Sequence, residues 1–294
     1  MTEITRTFAE TRAGTVGRVG LVPTMGFFHE GHAALMTAAR AASDTVVVSL
    51  FVNPLQFNDR QDLESYPRDL NRDLVIAGEQ GVDLLFAPSS DEMFPVEPLT
   101  RVDVGAVAEY LEGPRRPGHF AGVATVVAKL FAGLQPDLAF FGRKDAQQLA
   151  VVRRLALDLS FPVTVIGRPT LREADGLALS SRNVYVAPDD RPAALLLSRG
   201  LFSAADLAER GVFEAADFVE AVKTSAPGVS FEYITLASQD TAQPLERLDR
   251  PSFLAVAARI GSVRLIDNVA FDLVSGHVVA DRGIRLNAPS RLYS

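Results

Sequence analysis

Two histidines three residues apart, His29 and His32, follow an apolar run and flank Gly31. Side chains at i and i+3 share one face of a turn or young helix, and Gly31 lets a ligand come close to the backbone. A helix start offers free N–H groups and a positive dipole end that favour phosphate, and two imidazoles there can donate hydrogen bonds to phosphate oxygens. Surface histidines or a partial metal site share this spacing. Zinc would need further His, Asp or Glu ligands, and the chain has four histidines in all. Lys144 and Asp145 form a second cluster. A lysine at a strand-to-helix turn binds phosphate as a compact cation, and the aspartate can cap the next helix or bind a ribose hydroxyl. Gln148 lies one turn further on, and Gln56 ends another apolar run. Two facing amides, each with donors and an acceptor, suit a hydroxy acid. Ser180, Ser181 and Arg182 supply two hydroxyls and a fork-shaped cation for phosphate oxygens. Asp69 and Asp73, four apart on one helix pattern, could help hold Mg²⁺. Taken singly, each of these groups also reads as an ordinary cap, turn or solvated side chain.

These clusters need elements to position them. Five apolar runs read as strands: 19–22, 45–52, 83–87, 137–141 and 163–166. The second is nearly continuous in β-branched and large apolar residues, which suits a strand buried on both faces of a parallel sheet. Helical patterns lie between them at 31–42, 67–80, 122–134 and 145–159. The third is clearest, with Val123, Val126, Val127, Leu130, Phe131 and Leu134 on one face. Strands alternating with helices indicate an α/β, doubly wound parallel sheet. In such sheets ligands bind beyond the carboxyl ends of the strands. The polar clusters fall after the first, second, fourth and fifth runs, which implies one crevice. Beyond about Thr170 the pattern changes to helices at 191–210 and 214–225, then strands at 230–236, 252–260 and 262–267. The chain therefore divides into residues 1–170 and a smaller α+β C-terminal domain, 171–294.

Composition narrows the classes. Cysteine is absent, which removes disulfides, thiolate nucleophiles and cysteine-ligated zinc. The net charge is −7, and no basic stripe marks a nucleic-acid binder. No run approaches the roughly 20 apolar residues of a membrane span, and residues 1–12 are polar and charged without the apolar core of a leader. The expected location is the cytoplasm. There is no G-x-x-x-x-G-K-[ST] phosphate loop and no G-x-G-x-x-G after the first strand, nor a G-x-S-x-G elbow.

The run Pro23-Thr24-Met25-Gly26 with His29-Glu30-Gly31-His32 resembles the signature of the pantothenate synthetases. So do Phe51-Val52-Asn53-Pro54-Leu55-Gln56-Phe57, Tyr66-Pro67-Arg68 and the stretch from Arg116-Pro117-Gly118-His119 to Val127. Phe141-Gly142 with Lys144-Asp145-Ala146-Gln147-Gln148, the stretch from Arg172-Glu173 to Arg182-Asn183, and Arg264-Leu265-Ile266-Asp267-Asn268 complete the set. The His-x-Gly-His element alone is shared with the wider nucleotidyltransferase superfamily. The resemblance implies a Rossmann-like nucleotide- and pantoate-binding N-terminal domain, a C-terminal lid and a homodimer. It implies ATP-dependent joining of pantoate to β-alanine through an acyl adenylate, with Mg²⁺. Met25, Gly26, His29, Gly31 and His32 would line the ATP site, His32 as catalytic acid or charge stabiliser. Gly142, Arg143, Lys144, Asp145, Leu171, Leu179, Ser180, Ser181 and Arg182 match further ATP-contacting positions. His29, Lys144 and Arg182 would join His32 in offsetting phosphate charge. Gln56 and Gln148 match the pantoate-binding pair, Gln56 also near β-alanine, and Asp73 falls where an acidic residue suits magnesium. Two positions depart from the family pattern. Phe27-Phe28 stands where Ala-Leu is common and is expected to add bulk beside the phosphate loop, which could alter the acid pocket. Arg143 stands where Glu is frequent. A nucleotidyltransferase stopping at a nucleotide-linked product, a non-catalytic nucleotide sensor and a ligase for a different acid are the competing readings.

Overall fold

A computed structural model describes residues 1–293, with side chains except those of Arg60, Asp62, Ser65 and Tyr293. The elements run β1 (Glu3–Thr5), α1 (Phe8–Ala13), β2 (Val19–Thr24), α2 (Glu30–Ala42), β3 (Thr45–Leu50), α3 (Arg60–Ser65), α4 (Leu70–Glu79), β4 (Leu84–Phe86), α5 (Ser90–Met93), α6 (His119–Leu134), β5 (Leu138–Gly142), α7 (Ala146–Asp158) and β6 (Thr164–Arg168). They continue with β7 (Leu171–Arg172), α8 (Arg191–Glu209), α9 (Ala215–Ser225), β8 (Phe231–Ser238), β9 (Ser252–Ile260), β10 (Val263–Val274), β11 (His277–Asp281) and β12 (Ile284–Arg285). The chain forms two compact units, Met1–Phe141 with Val151–Arg168, and Gly142–Ala150 with Pro169–Ser294.

In the first unit a six-stranded sheet has the order β1-β4-β3-β2-β5-β6. The pairings of β2 with β3 and β5, and of β4 with β1 and β3, are parallel. The expected α/β doubly wound sheet is therefore present. Strand order runs one way from β2 to β3 and β4, and the other way to β5, so the switch lies between β2 and β5. Val46, Val47 and Val48 of β3 are wholly buried, as the unbroken apolar run requires. Val22, Phe28, Met36, Ile76, Leu85 and Phe140 share one core. Sequence periodicity does not show β1. Only Ile4 among its three residues is apolar, and it is held as an edge strand by the ladder to β4 rather than by its own pattern. Helix α6 begins at His119, three residues earlier than the expected 122, after Gly118, whose φ of 78° turns the chain into it.

The second unit carries a four-stranded antiparallel sheet, β11-β10-β9-β8. Helices α8 and α9 bury Leu197, Leu201, Phe218 and Val222 in the same core as Leu254, Val256 and Phe271 of that sheet. The sequence pattern gives three strands here. Strand β11 is missed, and β10 runs seven residues beyond its expected end at Asp267. The early end of β10 has a cause: Asp267 and Asn268, each 4% exposed, interrupt the apolar run yet lie inside the strand. Their burial is offset by Arg172, which is itself fully buried. Its Nη1 and Nη2 donate to the two Asp267 oxygens at 2.7 and 3.0 Å, its Nε to the Arg282 carbonyl at 2.5 Å and its Nη2 to that of Asn268 at 3.2 Å. The guanidinium also lies 4.8 Å from the Phe202 ring centroid.

Removing one partner of such a pair strands a buried charge, at a cost of ~3–5 kcal/mol, more than the pair contributes over an apolar filling. Asp267→Ala should therefore lower unfolding free energy by about that amount, and Arg172→Met with Asp267→Leu by much less. Denaturant titration of both variants checks this.

Candidate active site

The turn from β2 into α2 carries the two histidines. Gly26, at φ 89°, and Phe27, at φ 54°, are both left-handed. A Cβ on Gly26 would meet an Asp73 oxygen at 3.0 Å. For a bulky residue such as Phe27 this backbone costs ~1–2 kcal/mol. The turn persists because α4 holds it: Asp73 accepts the Phe27 N–H at 2.8 Å and the Phe28 N–H at 2.6 Å, one on each oxygen. Hydrogen bonds to a charged group contribute ~1.5–3 kcal/mol each, enough to outweigh the strain. Arg72 Nη1 donates to the Phe28 carbonyl at 2.8 Å, and its guanidinium carbon sits 4.9 Å from the Phe27 ring centroid. Burial pushes the Asp73 carboxyl above its usual range, against the pull of the two N–H donors.

Beyond the turn, His29 is the N-cap of α2. Its Nδ1 accepts the Gly31 N–H at 3.0 Å, and His32 Nδ1 accepts the His29 N–H at 3.3 Å. An accepting Nδ1 places the ring proton on Nε2. Both imidazoles thus present an Nε2–H, with their ring centroids 4.1 Å apart. One expectation is corrected: the Gly31 N–H at the helix start is taken by the His29 ring rather than left for a ligand. The Phe28 ring is another correction, because it is wholly buried in the core, 5.5 Å from His32, rather than adding bulk to a pocket.

Gln56 belongs to the turn after β3. Its Nε2 donates to Met25 Sδ at 3.0 Å, and its Oε1 accepts from Asn53 Nδ2 at 3.1 Å. Asn53, 2% exposed, also donates to the Gly122 carbonyl at 3.1 Å. Arg116 can only donate, so the 3.1 Å contact of its Nη1 makes His119 Nε2 an acceptor and leaves Nδ1–H to donate to the Gln56 carbonyl at 2.9 Å. A Cβ at Gly122 would lie 2.3 Å from the Leu55 carbonyl oxygen, so only glycine lets α6 approach this turn. Met25, Gly26, His29, Gly31, His32, Gln56 and Asp73 thus come together in the first unit. The magnesium role expected of Asp73 does not fit, since both oxygens are taken by the loop and the residue is 1% exposed. Among the described residues no three His, Asp or Glu side chains gather as a metal-binding group.

The second unit gathers the other expected residues. Lys144, with its side chain 19% exposed, has Nζ 4.0 Å from Asp145, and Gln148 lies half-buried on α7. Asn268 Nδ2 donates to the carbonyls of Arg143 at 3.0 Å and Lys144 at 2.7 Å, fixing that turn to β10. Arg143 Nη1 is bound to Asp281 at 2.9 Å, with Asp272 at 3.6 Å. Its side chain is thus engaged by carboxylates of the same unit. Leu171 and Leu179 face each other across a short hairpin, the Leu179 N–H donating to the Leu171 carbonyl at 2.8 Å. Its turn uses Gly176 at φ 104°. Ser180 caps the following turn, accepting the Arg182 N–H at 3.3 Å, and Arg182 is exposed beside half-buried Ser181. Asn183, 1% exposed, donates to Glu173 at 2.7 Å, and Arg191 binds the other Glu173 oxygen at 2.5 Å.

The roles of Asn53, Arg72, His119, Glu173 and Asn268 as supports are not evident from residue type and spacing. All but Arg72 lie within the runs that carry the family resemblance, and that is the only sequence signal for them.

Several known proteins are similar to this chain over most of its length. The family model described as pantoate-beta-alanine ligase matches residues 1–270. A protein of Heliobacterium modesticaldum named pantothenate synthetase is 52% identical over 258 residues, 87% of this chain and 92% of its own length. The crystal structure of pantothenate synthetase from Thermus thermophilus superposes with a TM-score of 0.84 at 48% identity, covering 90% of this chain and 98% of that one. The pantoate-beta-alanine ligase of Francisella tularensis, solved as a complex with beta-gamma ATP and beta-alanine, gives 0.72 at 33% identity, with 91% and 97% covered. With that span and identity, this chain belongs to the pantoate–β-alanine ligase family.

Proposed function

We propose that this chain joins (R)-pantoate to β-alanine, cleaving ATP to AMP and pyrophosphate. Family membership supports the overall reaction, and the Francisella relative's complex supports ATP and β-alanine as ligands. The observation that carries the chemistry is the histidine pair at the start of α2, with both Nδ1 atoms tied to backbone N–H groups and both Nε2–H groups fixed as donors.

In the first step a pantoate carboxylate oxygen attacks the α-phosphorus of ATP. The bond from that phosphorus to the bridging oxygen breaks, and pyrophosphate leaves. Charge grows on the phosphate oxygens, and donors fixed in advance offset it without reorganising. His29 and His32 supply neutral donors, and Lys144 and Arg182 supply cations. Met25, Gly26 and Gly31 in the first unit line the nucleotide. Gly142, Asp145, Leu171, Leu179, Ser180 and Ser181 in the second unit do the same, with Arg143 contributing backbone only. Gln56 and Gln148 hold pantoate. In the second step the neutral amine of β-alanine, near Gln56, attacks the acyl carbon. The bond to AMP breaks and the ammonium proton is released. No protein nucleophile is required, in keeping with a chain that has no cysteine.

Residues 1–170 act as the nucleotide- and pantoate-binding domain and residues 171–294 as a lid that shields the adenylate from water. Magnesium enters with ATP as part of the substrate. We take the enzyme to be a cytoplasmic homodimer on the family resemblance. Among the described residues no helix is long and apolar enough to cross a membrane.

His32→Ala and Lys144→Ala should each lower turnover ~100- to 1,000-fold, the scale of losing one fixed donor to a developing anion, with unfolding midpoints unchanged. Pantoate-dependent exchange of pyrophosphate into ATP is the measurement, and near-normal exchange in both variants would remove the assigned roles. Gln148→Ala should raise the pantoate KM or lower kcat while leaving the ATP KM in place; steady-state kinetics in each substrate separates these. Asn268→Ala should lower kcat by ~10- to 100-fold by releasing the Lys144 turn, whereas Asn268→Asp, which cannot donate to two carbonyls, should not restore it.

A further inference from the structure

We infer that Arg72 and Asp73, at the start of α4, are positioning residues for the His29–His32 phosphate donors, acting through the turn between β2 and α2. This rests on the proposed ligase reaction and assigns Asp73 to the loop rather than to a metal ion.

Four contacts converge on two consecutive residues. Asp73 takes the N–H groups of Phe27 and Phe28 on separate oxygens, Arg72 donates to the Phe28 carbonyl, and the Arg72 guanidinium covers the Phe27 ring. A left-handed Phe27 does not hold its conformation by itself. Phe28, bonded directly to His29, has its N–H held by Asp73 and its carbonyl by Arg72, so releasing the clamp frees the peptide that leads into His29. His29 N–H is the group that orients His32 Nδ1, and the His29 ring caps α2 through Gly31. Loss of the clamp therefore reaches both imidazoles through covalent neighbours. Asp73 is buried, and a carboxylate with an N–H on each oxygen is a backbone anchor. Asparagine at this position keeps the volume but has one acceptor oxygen, and it would set its own N–H₂ against one of the two backbone donors.

The two half-reactions separate positioning from simple loss of fold. Phosphate donors matter when pyrophosphate leaves, whereas coupling of preformed pantoyl adenylate to β-alanine expels AMP without a triphosphate. Asp73→Asn should lower pantoate-dependent ATP–pyrophosphate exchange ~100-fold, the scale of a displacement of about 1 Å in a catalytic group. Coupling from supplied pantoyl adenylate should stay within about twofold, the smallest change this comparison needs to resolve. The magnesium concentration giving half-maximal exchange should not move. Arg72→Gln, which removes the contacts to the Phe28 carbonyl and the Phe27 ring, should show the same split at ~10-fold, and it carries the test if Asp73→Asn does not fold. Equal loss in both half-reactions, wild-type exchange in the variants, or a magnesium requirement raised tenfold or more and rescued by added magnesium would each overturn the clamp. If the unaltered chain shows no pantoate-dependent exchange, it is the ligase reading that fails.

Discussion

The loops that carry chemistry in this protein leave the sheets, so their backbone groups have no ladder partners, and buried side chains must supply them. Each buried N–H or carbonyl left unpaired costs ~1–3 kcal/mol, comparable with a sizeable share of a domain's net stability. The supply is specific. Asp73 takes two N–H groups of the histidine turn, Asn53 and His119 hold the Gln56 turn from its two sides, and Asn268 holds the Lys144 turn by two carbonyls. A polar residue that is 1–5% exposed would be a liability without such work. With it, the polar group fixes one backbone path among the many a loop could take.

Topology decides where these supports are needed. Chain direction reverses its spread between β2 and β5, and the segments leaving β2, β3 and β5 emerge at the same end of a parallel sheet. At such a switch the two connections run to opposite faces, and a gap opens at the strand ends. Helix α6 reaches the Gln56 turn only because residue 122 has no side chain. In the second unit, consecutive residues of β10 serve two separate segments, Asp267 binding Arg172 at the hairpin base and Asn268 binding the Lys144 turn. One strand thereby fixes the register between two functional segments about 30 residues apart in sequence, a rigidity that contacts to solvent could not give.

Legibility in the sequence followed the physical origin of each feature. Strands β2 and β3 and helix α6 could be read because burial on both faces or on one stripe leaves a pattern in the residues themselves. Strand β1 could not, since its pairing partner lies some 80 positions away and two of its three residues are polar. Strand β10 was cut short because apolar periodicity treats Asp267 as a boundary, and only the distant Arg172 makes it an interior residue. At the candidate site, residue types and spacing gave the histidine pair, the lysine and the glutamines. They could not give the supports, because Asp73 on a helix four residues from Asp69 looks the same whether it faces solvent, a cation or a loop. Arg143 shows the converse limit: the carboxylates that engage its side chain, Asp281 and Asp272, lie far along the chain and leave no local signal.

The tautomers of the two histidines explain why the phosphate chemistry needs residues from elsewhere in the chain. In a glycine-rich phosphate loop the backbone N–H groups make the grip. Here the Gly31 N–H at the head of α2 is taken by the His29 ring and the Phe27 and Phe28 N–H groups by Asp73, so the grip passes to side-chain Nε2–H donors. Imidazole donors set in this way are well aimed but bring no fixed positive charge. Arg72, a cation that touches this turn, is engaged by the Phe28 carbonyl and the Phe27 ring. In a chain of net charge −7, charge compensation for a triphosphate must come from a few local cations, and on the proposed function these are Lys144 and Arg182, both in the other unit. On the proposed function, aiming and neutralising are thus separate tasks carried by different side chains, the imidazoles of His29 and His32 for the first and the charged Lys144 and Arg182 for the second.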